Sequence, residues 1–148
     1  ATRAHELLLK QLKAQSEELH DLSVPIVDEL LKGNIVPEVP VSLFSLFRPS
    51  VQPYLITWFS YDPVKSISQI REPVLIIHGD RDIQISHEEA RILHESLEGS
   101  RLEIIEGMNH ILKPAPEDLQ GNLATYSDPD LPLHEEFKET IIEFMDQL

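Results

Sequence analysis

Two short apolar runs constrain this chain more than any other feature of it. Val74-Leu75-Ile76-Ile77 leads into His78-Gly79-Asp80-Arg81-Asp82, and 28 positions later Leu102-Glu103-Ile104-Ile105-Glu106 leads into Gly107-Met108-Asn109-His110. The first run is continuous, β-branched and aliphatic, follows Pro73, and predicts a strand of a parallel sheet covered on both faces. Between the runs, Ser86 and Glu89 have capping-box spacing, so a helix is expected with Ala90, Leu93 and Leu97 toward the sheet and Gly99 ending it. Strand, helix and strand within about 35 residues make a βαβ unit, whose right-handed crossover leaves the strands parallel. Both carboxyl ends then share one sheet edge, where open α/β sheets do their chemistry. Asp82 and His110 fall on that edge.

The front half follows a different pattern. Leu7, Leu8, Leu12 and Leu19 recur at helical spacing, and a second helix is predicted from Ser23 to Gly33 with Pro25 in its first turn, the two forming a hairpin. After the extended Val36-Pro37-Glu38-Val39-Pro40 and the stretch Val41 to Phe47, a helix capped by Ser50 is expected. Pro53 falls in its first turn, where proline is tolerated, and Val51, Tyr54, Leu55, Trp58 and Phe59 form one stripe. Beyond His110, Lys113 to Leu131 reads as a long loop rich in Pro, Asn and Asp, followed by a helix carrying Phe137, Ile141, Phe144, Met145 and Leu148 on one face. The pattern changes between residues 61 and 73, which divides the chain into a helical segment, 1–61, and an α/β segment, 62–148.

Charge narrows the partners. Twelve Lys and Arg against 26 Asp and Glu leave a formal charge of −14, which repels phosphate backbones and anionic lipid. Neither nucleic acid nor a membrane is expected as a partner, and no apolar run approaches the roughly 20 residues that span a bilayer. The start, Ala1-Thr2-Arg3-Ala4-His5, has neither an initiating Met nor a signal-peptide layout. The absence of cysteine excludes disulfides, cysteine catalysis and thiolate metal sites. It leaves the compartment open, with the cytoplasm as the expectation.

An acid after one buried strand and a histidine after the next is the arrangement of the second and third members of a Ser, Asp, His triad in doubly wound hydrolases. Gly79-Asp80-Arg81-Asp82 and Gly107-Met108-Asn109-His110 resemble the turns after the seventh and eighth strands of the α/β-hydrolase fold family, which carry the triad acid and the triad histidine. The resemblance covers residues 62 to 148. The front segment, including Leu46-Phe47-Arg48-Pro49-Ser50 and Trp58-Phe59-Ser60-Tyr61-Asp62-Pro63, is similar to the cap helices that such enzymes insert before the seventh strand. It implies a C-terminal portion of an α/β-hydrolase fold: a helical cap at 1–61, and at 62–148 a parallel βαβ unit with a closing helix. Asp82 and His110 would be the catalytic pair, with Tyr54, Trp58 and Phe59 as candidate pocket wall.

No G-x-S-x-G or near variant, the elbow that presents a nucleophilic serine, occurs in the 148 residues. The chain therefore reads as the back half of a serine hydrolase, esterase or lipase-like, acting on a small ester and needing no cofactor or metal. It is expected to be inactive alone, since the serine and the oxyanion-binding amides, worth about 10² to 10³ in rate, belong to the absent part. Its partners are then the missing N-terminal half or a second copy. The alternatives are an aspartate-nucleophile relative, such as an epoxide hydrolase or dehalogenase, and a non-catalytic interaction domain derived from a hydrolase.

Other residues have plainer readings. Asp80 competes with Asp82 as the acid, though turn chemistry alone accounts for it. His78, inside an apolar strand, reads as a hydrogen-bonded packing residue, and Asn109 as shaping the turn before His110. His87 and His94, seven apart on one helix, lack metal-ligand spacing. Ser50 and Ser86 read as helix caps rather than nucleophiles. The aromatic stripe at 54–59 serves equally as a packing face and as a pocket lining.

Overall fold

A computed structural model describes residues 2–148 and divides them into two compact units, Thr2–Ser66 and Ile67–Leu148. Secondary structure is mixed helix and strand, with one small parallel sheet. Among the described residues no helix is long and apolar enough to cross a membrane.

The first unit is helical. Helix α1 (Ala4–Gln15) and helix α2 (Glu17–Leu31) form a hairpin that turns on one residue, Ser16. Its backbone N–H closes α1 on Leu12 O (2.9 Å), and its Oγ accepts from Leu19 N–H at the start of α2 (3.4 Å). Helix α2 thus begins six residues before Ser23, and Pro25 lies in its interior rather than its first turn. Capping by Ser16, with Glu17 and Glu18 favourably placed against the helix dipole, outweighs the local cost of the proline. Ser23 is buried in mid-helix, its hydroxyl donating to Leu19 O (2.7 Å). Gly33, at φ 83°, ends the helix as expected.

A 3₁₀ turn (Val41–Leu43) runs into α3 (Phe44–Phe47), and then α4 (Gln52–Ser60). Ser50 does not cap α4: a turn closed by Val51 N–H to Arg48 O (2.9 Å) delays the helix, and Val51 occupies the cap position without a side-chain bond. Helices α1, α2 and α4 pack on one another around Leu12, Ile26, Val27, Leu30, Leu43, Phe47, Leu55 and Phe59. Gln52, fully buried, bonds the backbone of Val36 twice and Phe47 O once (2.6–2.8 Å), which ties the extended 36–40 segment to the helices. Helix α5 (Pro63–Ile67) spans the junction.

In the second unit β1 (Leu75–Gly79) pairs in parallel with β2 (Arg101–Ile105), Leu75 opposite Arg101 and Gly79 opposite Ile105. Each strand starts within one residue of its expected place. Ser86 caps the crossover helix α6 (His87–Glu95), accepting from Glu88 N–H (3.3 Å), and α6 packs on both strands with Ala90 buried. Among the described residues the strands are not fully covered: every β1 residue before Gly79 is only half-buried, with α6 packed on both strands and α8 (Glu135–Asp146) on β2. The stretch 113–131 is not a plain loop either. Asp118 caps a helix, α7 (Leu119–Ala124), by accepting from Gly121 N–H (2.7 Å), and a 3₁₀ turn (Thr125–Ser127) follows. On α8, Thr140 is buried while Ile142, Met145 and the following Leu148 stay exposed, so its covered stripe is narrower than the apolar spacing implies.

Candidate active site

The carboxyl ends of β1 and β2 stand side by side, and the two loops that leave them are laced together by backbone. Asp80 N–H donates to Ile105 O (3.1 Å), and Arg81 N–H to Met108 O (3.0 Å). The approach is so close that a Cβ on Gly79 would lie 2.0 Å from Met108 O. Gly79 is therefore required by contact, and Gly107 by conformation, its φ of 76° lying in the left-handed region.

The two candidate acids divide the work of this edge. Asp80 turns its Oδ1 to Gly107 N–H (2.7 Å) and thus braces the second loop. Asp82 folds back on its own turn: Oδ1 accepts from Gln84 N–H (2.8 Å) and Ile85 N–H (2.9 Å), an Asx-type turn that spends one oxygen and leaves the other. That other oxygen, Oδ2, meets His110 Nδ1 at 2.9 Å. The Asp82 side chain is 6% exposed and that of His110 35%.

A carboxylate can only accept, so Nδ1 of His110 carries the proton and Nε2 is left as the basic nitrogen. Nε2 has no hydrogen-bond partner among the described residues. A solvent-reachable imidazole, fixed in one tautomer by a buried carboxylate, is equipped to take a proton from a nucleophile and return it to a leaving group.

Behind His110 the loop is held from the interior. Asn109, 1% exposed, donates through Nδ2 to Thr125 Oγ1 (2.7 Å) and Asn122 Oδ1 (3.2 Å), while its Oδ1 accepts from Lys113 N–H (3.1 Å). Asn122, also buried, donates in turn to Arg81 O (2.8 Å), so α7 grips both loops. Asn122 and Thr125 escape a reading of the sequence because they lie in a segment without periodicity. Asp118 as a helix cap is the one local signal there. Leu112, two residues past His110, adopts φ 63°, a conformation that disfavours a bulky side chain. Its N–H bonds Asn109 O (3.0 Å) and its O accepts from His134 N–H (2.8 Å), which hold it there.

At the rim, a hydrogen bond to Glu117 (2.6 Å) pushes the Arg81 guanidinium further above its ordinary range, with Asp80 and Glu106 adding to the effect. His78 Nε2 bonds Ile85 O (3.1 Å), in keeping with a hydrogen-bonded packing role. His94 bonds Ser100 Oγ through Nδ1 (2.8 Å), and His87 lies beside Glu88 (3.2 Å). Among the described residues no group of three or more His, Asp or Glu could hold a metal ion.

The aromatic residues belong to the helical unit. Phe59, 1% exposed, is part of its core, whereas Tyr54 and Trp58, 63% and 44% exposed, stack on each other with ring centroids 6.0 Å apart. The stripe thus splits into a packing residue and two surface residues. An apolar groove of about 380 Å³ in the same unit runs past Leu22, Pro25, Ile26, Val36 and Pro40 and includes none of the three. In the second unit a cleft of about 250 Å³ lies between 70–74 and 97–100, at the amino ends of the strands and away from Asp82 and His110.

No family model matches the chain, and no curated protein does. Among solved structures, a bromoperoxidase from Bacillus anthracis is similar to it, with 27% identity over 71% of this chain and 33% of that protein, at a TM-score of 0.44. The chain spans about a third of the length of that structure.

Proposed function

We propose that this chain supplies the acid and the histidine of a serine hydrolase of the α/β-hydrolase fold, acting on small esters, with the nucleophile and oxyanion-binding amides coming from a segment outside residues 1–148. The observation that carries the reading is the 2.9 Å bond between Asp82 Oδ2 and His110 Nδ1, made by residues leaving adjacent parallel strands at their carboxyl ends. In this reading His110 Nε2 takes the serine proton as the hydroxyl attacks the ester carbonyl, then delivers it to the departing alkoxide. Asp82 keeps the imidazole in the right tautomer and stabilises the imidazolium without taking the proton itself. Asp80, with Oδ1 engaged by Gly107 N–H, has in this reading the role of bracing the second loop rather than that of the acid.

The test compares the product of the complete gene with residues 1–148 alone, using a short-chain p-nitrophenyl ester and a fluorophosphonate probe. Turnover and labelling are expected only in the complete product. Asp82→Asn should lower kcat by on the order of 10⁴, and Asp80→Asn should leave kcat within about tenfold of wild type. No labelling of the complete product would overturn the serine reading in favour of an aspartate nucleophile or a non-catalytic domain, and equal losses in the two Asn variants would remove Asp82 from its role.

A further inference from the structure

Asp82 has a second histidine beside it. His78, the penultimate residue of β1, brings Nε2 to 3.1 Å from Ile85 O and to 3.5 Å from Asp82 Oδ2, and its side chain is 13% exposed. Carbonyl and carboxylate are both acceptors, so this nitrogen must carry a hydrogen whatever the charge on the ring. It donates to Ile85 O, with the Asp82 carboxylate as a longer second acceptor.

Ile85 is consequently held at both ends. Its N–H is bound by Asp82 Oδ1 (2.9 Å) and its carbonyl by His78. The turn that commits Oδ1 and frees Oδ2 for His110 is closed by a residue of the strand beneath it. Removing the imidazole would leave a half-buried carbonyl without its donor and take a positive dipole from a carboxylate with almost no water to replace it. A packing role alone would need the ring's volume; this geometry uses its Nε2–H.

We propose that His78 is a positioning residue: its Nε2–H locks the 82–85 turn and so fixes the rotamer through which Asp82 reaches His110. The inference rests on the acid–histidine reading of that pair, and adds a third member that never touches substrate.

Three substitutions separate the ring from its donor. Phenylalanine keeps the volume without the N–H, glutamine extends an amide N–H to about the Nε2 position, and asparagine falls short by one methylene. The readout is the tautomer of each histidine in residues 1–148, from two-bond ¹H–¹⁵N spectra. In the unmodified chain His78 should be protonated at Nε2 and His110 at Nδ1. In His78→Phe and His78→Asn, His110 should lose its strict Nδ1–H preference as the carboxylate swings off line, and His78→Gln should restore it.

An Nε2 without a proton in the native chain would overturn the proposal outright. So would an unchanged His110 tautomer in the asparagine variant, which would mean that the turn holds Asp82 unaided. Should the phenylalanine variant fail to fold, the Gln and Asn pair, alike in polarity, still decides. In the complete gene product His78→Asn should lower kcat about tenfold with KM unchanged. These spectra do not depend on turnover: a failed hydrolase reading would leave the tautomers as described, whereas failure of the His78 proposal would leave kcat of His78→Asn at the wild-type level.

Discussion

Gly79 has no room for a side chain. A methyl group there would meet Met108 O at 2.0 Å, and that oxygen is the acceptor for Arg81 N–H, so relief by moving Met108 would break the lacing between the two loops. Gly79→Ala should therefore destabilise the second unit by about 3 kcal/mol, measured as a lowered urea midpoint, and should broaden the His110 ring resonances as the pair loses its alignment. A variant as stable as wild type would mean that the close approach is not maintained in solution. The neighbouring acids make a related point: Asp80 and Asp82 are two residues apart in the same turn, yet one oxygen of each serves backbone N–H groups of different loops, and only Asp82 has a second oxygen toward His110.

At the scale of elements, Gln52 organises the helical unit more than any apolar residue of its stripe. It is a fully buried amide whose bonds all go to backbone groups: Val36 N–H, Val36 O and Phe47 O. Gln52→Ala would strand an N–H and two carbonyls in the interior, at a cost of about 3 kcal/mol. Thermal unfolding followed by circular dichroism should register it as a clear loss of stability. An isosteric Gln52→Glu, which keeps the acceptor and loses the donor, should be nearly as costly; a small effect of either would show that water takes over these bonds.

The same element explains what was legible in the sequence and what was not. β1, β2 and the α6 cap could be read because each rests on local information: a continuous apolar run, or a serine at the start of a helix. The approach of Asp82 to His110 followed from chain order and strand direction. The beginning of α2 differs from the sequence expectation because Pro25 is the louder local signal, while the Ser16 cap shows its weight only when two helices turn on it. Gln52, Asn122 and Thr125 are not legible in the sequence, because each has a partner 13 to 41 residues away in the chain. Polar contacts across such distances have no period to betray them.

For the whole molecule, the sheet is the weak point. It holds two strands among the described residues, which leaves backbone donors and acceptors along the outer side of each, and two strands alone are marginal in water. We expect residues 1–148 in isolation to self-associate, or to require another chain segment beside β1. Sedimentation velocity across a hundredfold range of concentration should show a rising weight-average mass, and the unfolding midpoint should rise with it. A monomer with a concentration-independent cooperative transition would mean that the helices protect the edges by themselves. The half-burial of the β1 side chains points the same way, since aliphatic residues in a finished parallel sheet are covered on both faces.

Two bonds join the loops of Asp82 and His110 directly, Asp80 to Gly107 and Arg81 to Met108, and Asn122, bonded to both Arg81 and Asn109, joins them through α7. Loops stitched in this way move as one body. Acid and histidine must travel together or not at all, so a protein built around them cannot admit a substrate by swinging one away from the other. On the function proposed for the pair, whatever door opens to a substrate has to be hung elsewhere.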